Sequence, residues 1–405
     1  MKLRFYKQNF ITIYVTILII TFAILGEYID SPLIQYADEI FTVFAIIQII
    51  WRYPRLINNN NYNKLFKVTF IVLISLVGIG IISNMLSKAI TISTPIFIDL
   101  FSIIKLPIVF LYMYAIVKDG EKKTILNNLK IPSELFIIVV FICGILNFFI
   151  EIGMSYDIRY GIRSFTFIYA NPGALNAALI IAYTIVLVTA SNKIKRIVGS
   201  MALLSVIFTL RGAGIGVVGI IIMLEIYFYY TDSNKSIKVY KLIPFSILAC
   251  ILGYNQIYEY FISGTSLRAL LLKNSIVVFK RFFPLGSGFA TYGSDQAFKH
   301  YSKLYYEFGY NNIYMLNEQN GYVANDNFWP MIIAQFGIVG ILCYAYLVYY
   351  QFKMVLKLKT NRYIKISAIA LLSLLFIGSL GNAVYTSASG MMVYIVLGCI
   401  LMNKV

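Results

Sequence analysis

Phe328–Tyr350 reads FWPMIIAQFGIVGILCYAYLVYY, an apolar run with no charged residue. A helix that crosses a bilayer needs ~20 mostly apolar residues, and this run supplies them. Working outward, comparable runs lie at 10–26, 33–51, 66–86, 96–117, 135–152, 173–190, 196–210, 213–230, 242–262, 364–381 and 388–402, twelve candidates in all. The runs at 33–51 and 196–210 are the weakest, because Asp38 and Glu39 interrupt the first and the second is short. The chain is 60% hydrophobic and 13% charged, far from an ordinary globular mix. Strand-like alternation is missing, so helices must satisfy the backbone in lipid. The expectation is an all-α, polytopic integral membrane protein with about twelve transmembrane helices. Residues 1–405 read as one membrane domain, with a single large polar loop at 255–327 between spans nine and ten.

The net charge of +17 is topological and does not point to nucleic acid. With the N-terminus inside, the inner connections carry more than twice as many Lys and Arg as the outer ones. Basic residues are retained on the cytoplasmic side, so this bias orients the chain. Loop 255–327 is therefore expected outside, and both termini in the cytoplasm, in a cell inner (plasma) membrane. Lys2, Arg4 and Lys7 precede an apolar run of full span length, which reads as an anchor and not as a cleaved signal. Cys143, Cys250, Cys343 and Cys399 all sit in apolar runs and read as small buried hydrophobes, with no metal spacing. No internal repeat is visible, which weighs against transporter folds built from duplicated bundles.

The chemistry-bearing residues cluster on the side assigned as outer. Arg159 and Arg163 precede the sixth span, Arg211 joins the seventh and eighth, and Arg268 follows the ninth. Charges at such depth are costly unless they face a cavity or a charged ligand. A guanidinium stays protonated and presents a planar fork suited to phosphate; snorkelling to lipid headgroups is the competing explanation. Arg211 opens Arg211-Gly212-Ala213-Gly214-Ile215-Gly216, where the Gly212/Gly216 pair suits close helix packing better than a phosphate loop. Ser266–Phe279 reads as a helix near the membrane surface, and the glycines at 286, 288 and 293 demand a turn. Asp326 and Asn327, at the membrane edge of the loop, offer a general base toward a sugar hydroxyl or a helix cap. Asp295, Glu307 and Glu318 rank below Asp326 as solvated loop carboxylates. His300 is the only histidine, so zinc is not expected. The tyrosines between Tyr292 and Tyr322 fit either an interfacial belt or sugar stacking. Inside the spans, Asp99 and Lys105 fall on different faces of one helix and do not read as a relay.

One ordered set of segments carries a resemblance. Arg163…Asn171-Pro172, then Thr209-Leu210-Arg211-Gly212-Ala213, then Arg268…Phe283-Pro284-Leu285-Gly286-Ser287-Gly288-Phe289, then Asn325-Asp326-Asn327-Phe328…Gln335-Phe336-Gly337-Ile338-Val339-Gly340 looks like the O-antigen ligase and polysaccharide polymerase superfamily. The likeness spans roughly residues 160–345. It implies a metal-independent, cofactor-free glycosyltransferase acting on undecaprenyl-pyrophosphate-linked glycans, as both donor and acceptor. By position it implies that Arg211 and Arg268 bind the donor pyrophosphate and stabilise it as leaving group, with Arg163 assisting. Arg159, Lys280, Arg281, His300 and Asn327 become candidate substrate contacts and Asp326 the candidate base. Membrane lipid, a chain-length regulator and a flippase are the implied partners. Ligases of this superfamily usually carry a histidine in the block before the tenth span. This chain has Asn325-Asp326-Asn327 there, which favours a Wzy-type polymerase making O-antigen or capsule chains. The rivals are a ligase-like transferase and, from another class, a transporter of lipid-linked oligosaccharides.

Overall fold

The computed structural model describes residues 10–20, 36–58, 60–232, 236–237, 258, 266–320 and 327–402. Within these, the chain forms an all-helical bundle with one small hairpin. Its first eight helices are α1 (Phe10–Ile20), α2 (Ala37–Asn58), α3 (Asn60–Ser87), α4 (Ser93–Ala115), α5 (Asp119–Phe149), α6 (Pro172–Thr189), α7 (Asn192–Phe208) and α8 (Gly212–Tyr230). The polar stretch contributes α9 (Leu267–Arg281), α10 (Asp295–Lys299) and α11 (Lys303–Glu307). The chain then continues through α12 (Phe328–Lys357), α13 (Arg362–Gly378) and α14 (Ala388–Ile400). Strands β1 (Ser155–Arg159) and β2 (Ile162–Phe165) pair antiparallel between α5 and α6.

Six of the described helices are long and apolar enough to cross a membrane: Lys64–Ser87, Ser93–Ala115, Asp119–Phe149, Pro172–Thr189, Gly212–Tyr230 and Phe328–Lys357. This is the pattern of a multi-pass membrane protein. It corrects the expected twelve, for physical reasons. Helices α7 and α13 have 17 residues each, and at 1.5 Å per residue these fall short of a ~30 Å hydrocarbon core. Helix α2 starts with Asp38 and Glu39 and holds Pro54. Helix α14 has 13 residues and is buried from Gly390 to Ile400. It is a core helix packed on α4, wrapped by protein on every side. Close approach of the two is set by Gly398, where a Cβ would lie 2.5 Å from the Met113 side chain. The apolar run 242–262 falls almost wholly outside the described residues.

Two buried lysines inside the bundle have defined partners. Lys105 Nζ lies 2.5 Å from Asp38 Oδ2 and 3.5 Å from Glu39 Oε1, so the charges that interrupt α2 offset one in α4. At the end of α14 away from Ser387, Lys122 Nζ donates to Tyr114 O at 2.9 Å and Leu401 O at 3.4 Å. It thereby serves helix-end carbonyls that have no partner in their own helices.

Residues 286–294, expected as part of a solvated loop, are instead driven into the bundle between α3, α4 and α12. Phe289, Ala290 and Tyr292 are fully buried. Ser83 Oγ donates to Leu285 O (3.0 Å), Ser87 Oγ to Ser287 O (2.6 Å) and Asn84 Nδ2 to Phe289 O (2.9 Å). Asn84 Oδ1 accepts from Phe289 N at 2.8 Å, and Asp99 Oδ2 from Ala290 N at 2.5 Å. Asp99 thus anchors this insert, while Lys105 belongs to a different cluster; the two form no relay, as their spacing predicts. On the far side, Gly337 breaks the helical path of α12 with φ 58° and ψ −149°. Ser287 N and Gly288 N bond to the carbonyls of Ala334 and Gln335 at 2.8 Å each, and Ile338 N to Pro284 O at 3.1 Å. The expected turn at the glycines is present, with φ of 84° at Gly286 and 92° at Gly288.

The tyrosine-rich stretch builds a second core beneath α9. Asn274 donates to the Tyr310 hydroxyl (2.8 Å), which shares a hydrogen with Tyr292 (2.7 Å), and Tyr292 reaches Leu271 O (2.8 Å). Tyr292, Tyr305 and Tyr310 are fully buried, so these rings pack the loop and do not form a sugar platform. Burial pushes the Tyr292 hydroxyl well above its ordinary range.

Candidate functional site

Four connections come together at one end of the bundle: the hairpin before α6, the turn between α7 and α8, the start of α9, and the link from α13 to α14. They enclose a cavity of about 590 Å³ lined by Arg159, Arg211, Arg268, Asp295, Asn171, Asn176, Asn382, Thr386 and Ser387, among others. A polar cavity of this size within an apolar bundle is the default binding site.

Each arginine is placed by local structure. Arg159 ends β1, its Nε 2.9 Å from Asp157 Oδ2. Partial burial would raise the Asp157 carboxyl, but hydrogen bonds from Arg159 and Ser164 and the charges of Arg159 and Arg211 hold it below its ordinary range. Arg211 occupies the N-cap position of α8. Its guanidinium carbon lies 5.3 Å from the centre of the Tyr156 ring, which holds the group against the hairpin. Arg268 lies in the first turn of α9, which Ser266 caps by accepting from Ala269 N at 3.1 Å. A Cβ added to Gly381, at the end of α13, would sit 3.9 Å from the Arg268 guanidinium carbon. The link after α13 thus runs close beside the Arg268 side chain.

Three helices also start at this cavity. Gly173 and Ala174 open α6, Gly212 to Gly214 open α8, and Ser387 and Ser389 open α14. Helix N-termini carry partial positive charge and free N–H groups, so they reinforce the arginines toward an anion. Asn171 caps α6 by accepting from Ala174 N, and Ser387 caps α14 by accepting from Gly390 N. The N-cap side chain of α8, Arg211, makes no such bond.

Just before Arg211, Leu210 holds φ 51°, a left-handed conformation that disfavours a leucine by ~1–2 kcal/mol. That strain aims Arg211 at the cavity. Leu210→Gly should be tolerated or stabilising by up to ~1 kcal/mol, whereas the β-branched Leu210→Val should cost ~1–2 kcal/mol. Thermal unfolding of the purified variants checks this. Equal stability of Gly and Val at 210 would contradict the strained turn.

Of the described residues expected at a site, Arg159, Arg211 and Arg268 meet in the cavity, and the others do not. Arg163 turns away to Glu151, its Nε 3.0 Å from Oε2, and donates to Asn147 O at 3.3 Å. It faces a separate, mostly apolar cavity of about 180 Å³ lined by Phe148, Ile162, Phe165 and Phe208. Arg281 pairs with Glu307 on the exposed side of α9. Lys280 and His300 are exposed and do not line the cavity. Asn327 is buried at the N-cap position of α12, without a cap hydrogen bond from its side chain. Asp326 lies outside the described residues. Among the described residues, Asp295 is the acidic side chain that lines the cavity, though sequence alone ranked it low. Asn176, Asn382 and Thr386 carried no sequence signal, since a lone amide in an apolar run reads as packing and polar residues in a short connection read as an ordinary turn.

The Gly212/Gly216 pair divides between two roles. Gly216 faces α13, where an added Cβ would make only ordinary contact with Ile377 at 3.5 Å, so packing there does not require glycine. Gly212 faces the cavity. Among the described residues, no three His, Cys, Asp or Glu side chains converge where they could ligate a metal. Compared with known proteins, the chain matches no family model and no curated protein.

Proposed function

We propose that this chain is a membrane glycosyltransferase that polymerises undecaprenyl-pyrophosphate-linked oligosaccharide units into O-antigen or capsular polysaccharide on the outer face of the cell membrane. The observation that carries this reading is the meeting of Arg159, Arg211 and Arg268 with three helix N-termini around one cavity. Such a seat suits a pyrophosphate held at the membrane edge. The order of motifs, which resembles that of polysaccharide polymerases, supplies the sugar chemistry.

In the proposed reaction an acceptor hydroxyl oxygen bonds to the anomeric carbon of the donor glycan. The bond from that carbon to the pyrophosphate oxygen breaks, and the electron pair leaves with undecaprenyl pyrophosphate. The hydroxyl proton passes to a carboxylate. Asp295, which lines the cavity, and Asp326, placed beside Asn327, are the candidates. Negative charge grows on the departing pyrophosphate. Fixed guanidinium groups and helix N-termini stabilise that charge without reorganising, as water would have to.

Glycan products from a deletion strain test this reading against its rivals. A polymerase uses repeat units as donor and acceptor, so its loss should leave single-repeat glycans and no long ladder. Long polymer accumulating on the carrier lipid would identify a ligase instead. Single units retained on the cytoplasmic side would identify a transporter. Either outcome sinks the polymerase reading.

A further inference from the structure

We propose that Asn176 is a further ligand-binding residue, its side-chain amide donating to the anion that Arg211 holds. This rests on the pyrophosphate-site reading above and extends it to a residue in an apolar helix. Asn176 sits in the second turn of α6, 3% exposed, and lines the large cavity. A buried amide in such a helix is costly unless its donors and acceptor are satisfied. Its Oδ1 accepts from Thr209 Oγ at 2.9 Å. Its Nδ2 has no hydrogen-bond partner among the described residues.

The surroundings hold this amide in place. A Cβ added to Gly214 would lie 2.5 Å from Asn176 Nδ2, so only glycine at this point of α8 admits the amide. Thr209 also ties it to the arginine turn, because Arg211 N lies 3.4 Å from Thr209 Oγ. One threonine thus links the amide of α6 to the N-cap residue of α8. The Asn176 amide, the Arg211 guanidinium and the first backbone N–H groups of α8 are all donors. Several donors converging on one cavity suit phosphate oxygens. The glycine-rich start of α8 therefore serves the ligand by admitting Asn176.

Equilibrium binding of farnesyl pyrophosphate to the full chain, purified in detergent, tests the assignment. The parent should bind, and Arg211→Ala should weaken binding strongly. Asn176→Ala should weaken it about tenfold or more, the usual effect of losing one hydrogen bond to a charged group. Asn176→Asp keeps an oxygen toward Thr209 but replaces the donor with negative charge, and should weaken binding at least as much. Gly214→Ala should match Asn176→Ala while gaining helix propensity, so it reports on the amide if Asn176→Ala folds poorly. Parent-like affinity in Gly214→Ala or Asn176→Asp, with Arg211→Ala still impaired, would overturn the role of Asn176 alone. A parent that does not bind the probe, or an Arg211→Ala that binds normally, would remove the pyrophosphate site itself.

Discussion

Arg211→Ala and Arg268→Ala should each abolish long-polymer synthesis while the protein accumulates normally in the membrane. Both guanidinium groups line the cavity, and neither belongs to the buried ion-pair clusters that hold the bundle together. Removing one preorganised donor from a site where negative charge develops costs ~10²–10³ in rate. Lysine keeps the charge but loses the planar fork, so Arg→Lys should fall between parent and Ala. Arg163 supplies the internal contrast. The resemblance gives it an assisting role, but it pairs with Glu151 and faces the smaller cavity. Arg163→Ala should therefore change the initial rate of repeat-unit transfer by less than about threefold, within the range of a lost exposed ion pair. Rates measured on membranes with lipid-linked repeat units, normalised to protein abundance, provide the check. Full activity in Arg268→Ala would remove it from the pyrophosphate clamp. A collapse in Arg163→Ala would mean that the hairpin, and not the cavity, sets the chemistry.

The sequence makes helical class, most helix positions and three of the four clustered arginines legible, because each depends on local signals. Apolar length marks a span. An arginine beside a span end is costly, and therefore conspicuous, wherever it falls. What the sequence hides is whatever depends on partners far along the chain. Tyr292, Tyr305 and Tyr310 look like an interfacial belt until Leu271, Gly293 and Asn274 are seen to bond them in the interior. Asp295 looks like any solvated loop carboxylate, since its place in the cavity is set by the buried insert just before it. Asn176 gives no signal because one amide in an apolar helix reads as packing. Helix α14 is misread as a span for the opposite reason. Its run is apolar enough, but the helix it forms has only 13 residues and is buried among its neighbours. Hydropathy does not give that length.

The motifs behind the proposed polymerase reading do different work, and that difference is testable. Arg211 and Arg268 belong to the cavity, whereas Pro284–Phe289 and Gln335–Gly337 hold the loop to the bundle. Gly337 is the keystone of that second group. Its φ of 58° and ψ of −149° lie in a region essentially closed to residues with a Cβ. A Cβ there would also sit 2.2 Å from Pro284 O and 2.9 Å from Gly286 N, both backbone atoms that cannot swing aside. Alanine would have to straighten α12 or expel the insert. Expulsion breaks the bonds of Ser287 and Gly288 to Ala334 and Gln335 and strands Asn84 and Asp99 in the bundle. Backbone strain of ~1–3 kcal/mol added to buried polar groups left unpaired at ~1–3 kcal/mol each gives a loss of ~4 kcal/mol or more. Gly337→Ala should therefore lower the unfolding midpoint in detergent by at least ~5 °C, or prevent accumulation in the membrane. Gly78→Ala is the matched control, since a Cβ at Gly78 meets nothing within 4 Å. It should be neutral or slightly stabilising in its helix. A Gly337→Ala protein as stable as the Gly78→Ala control would show that the insert is not clamped by α12. The placement of Asp295 would then need another cause.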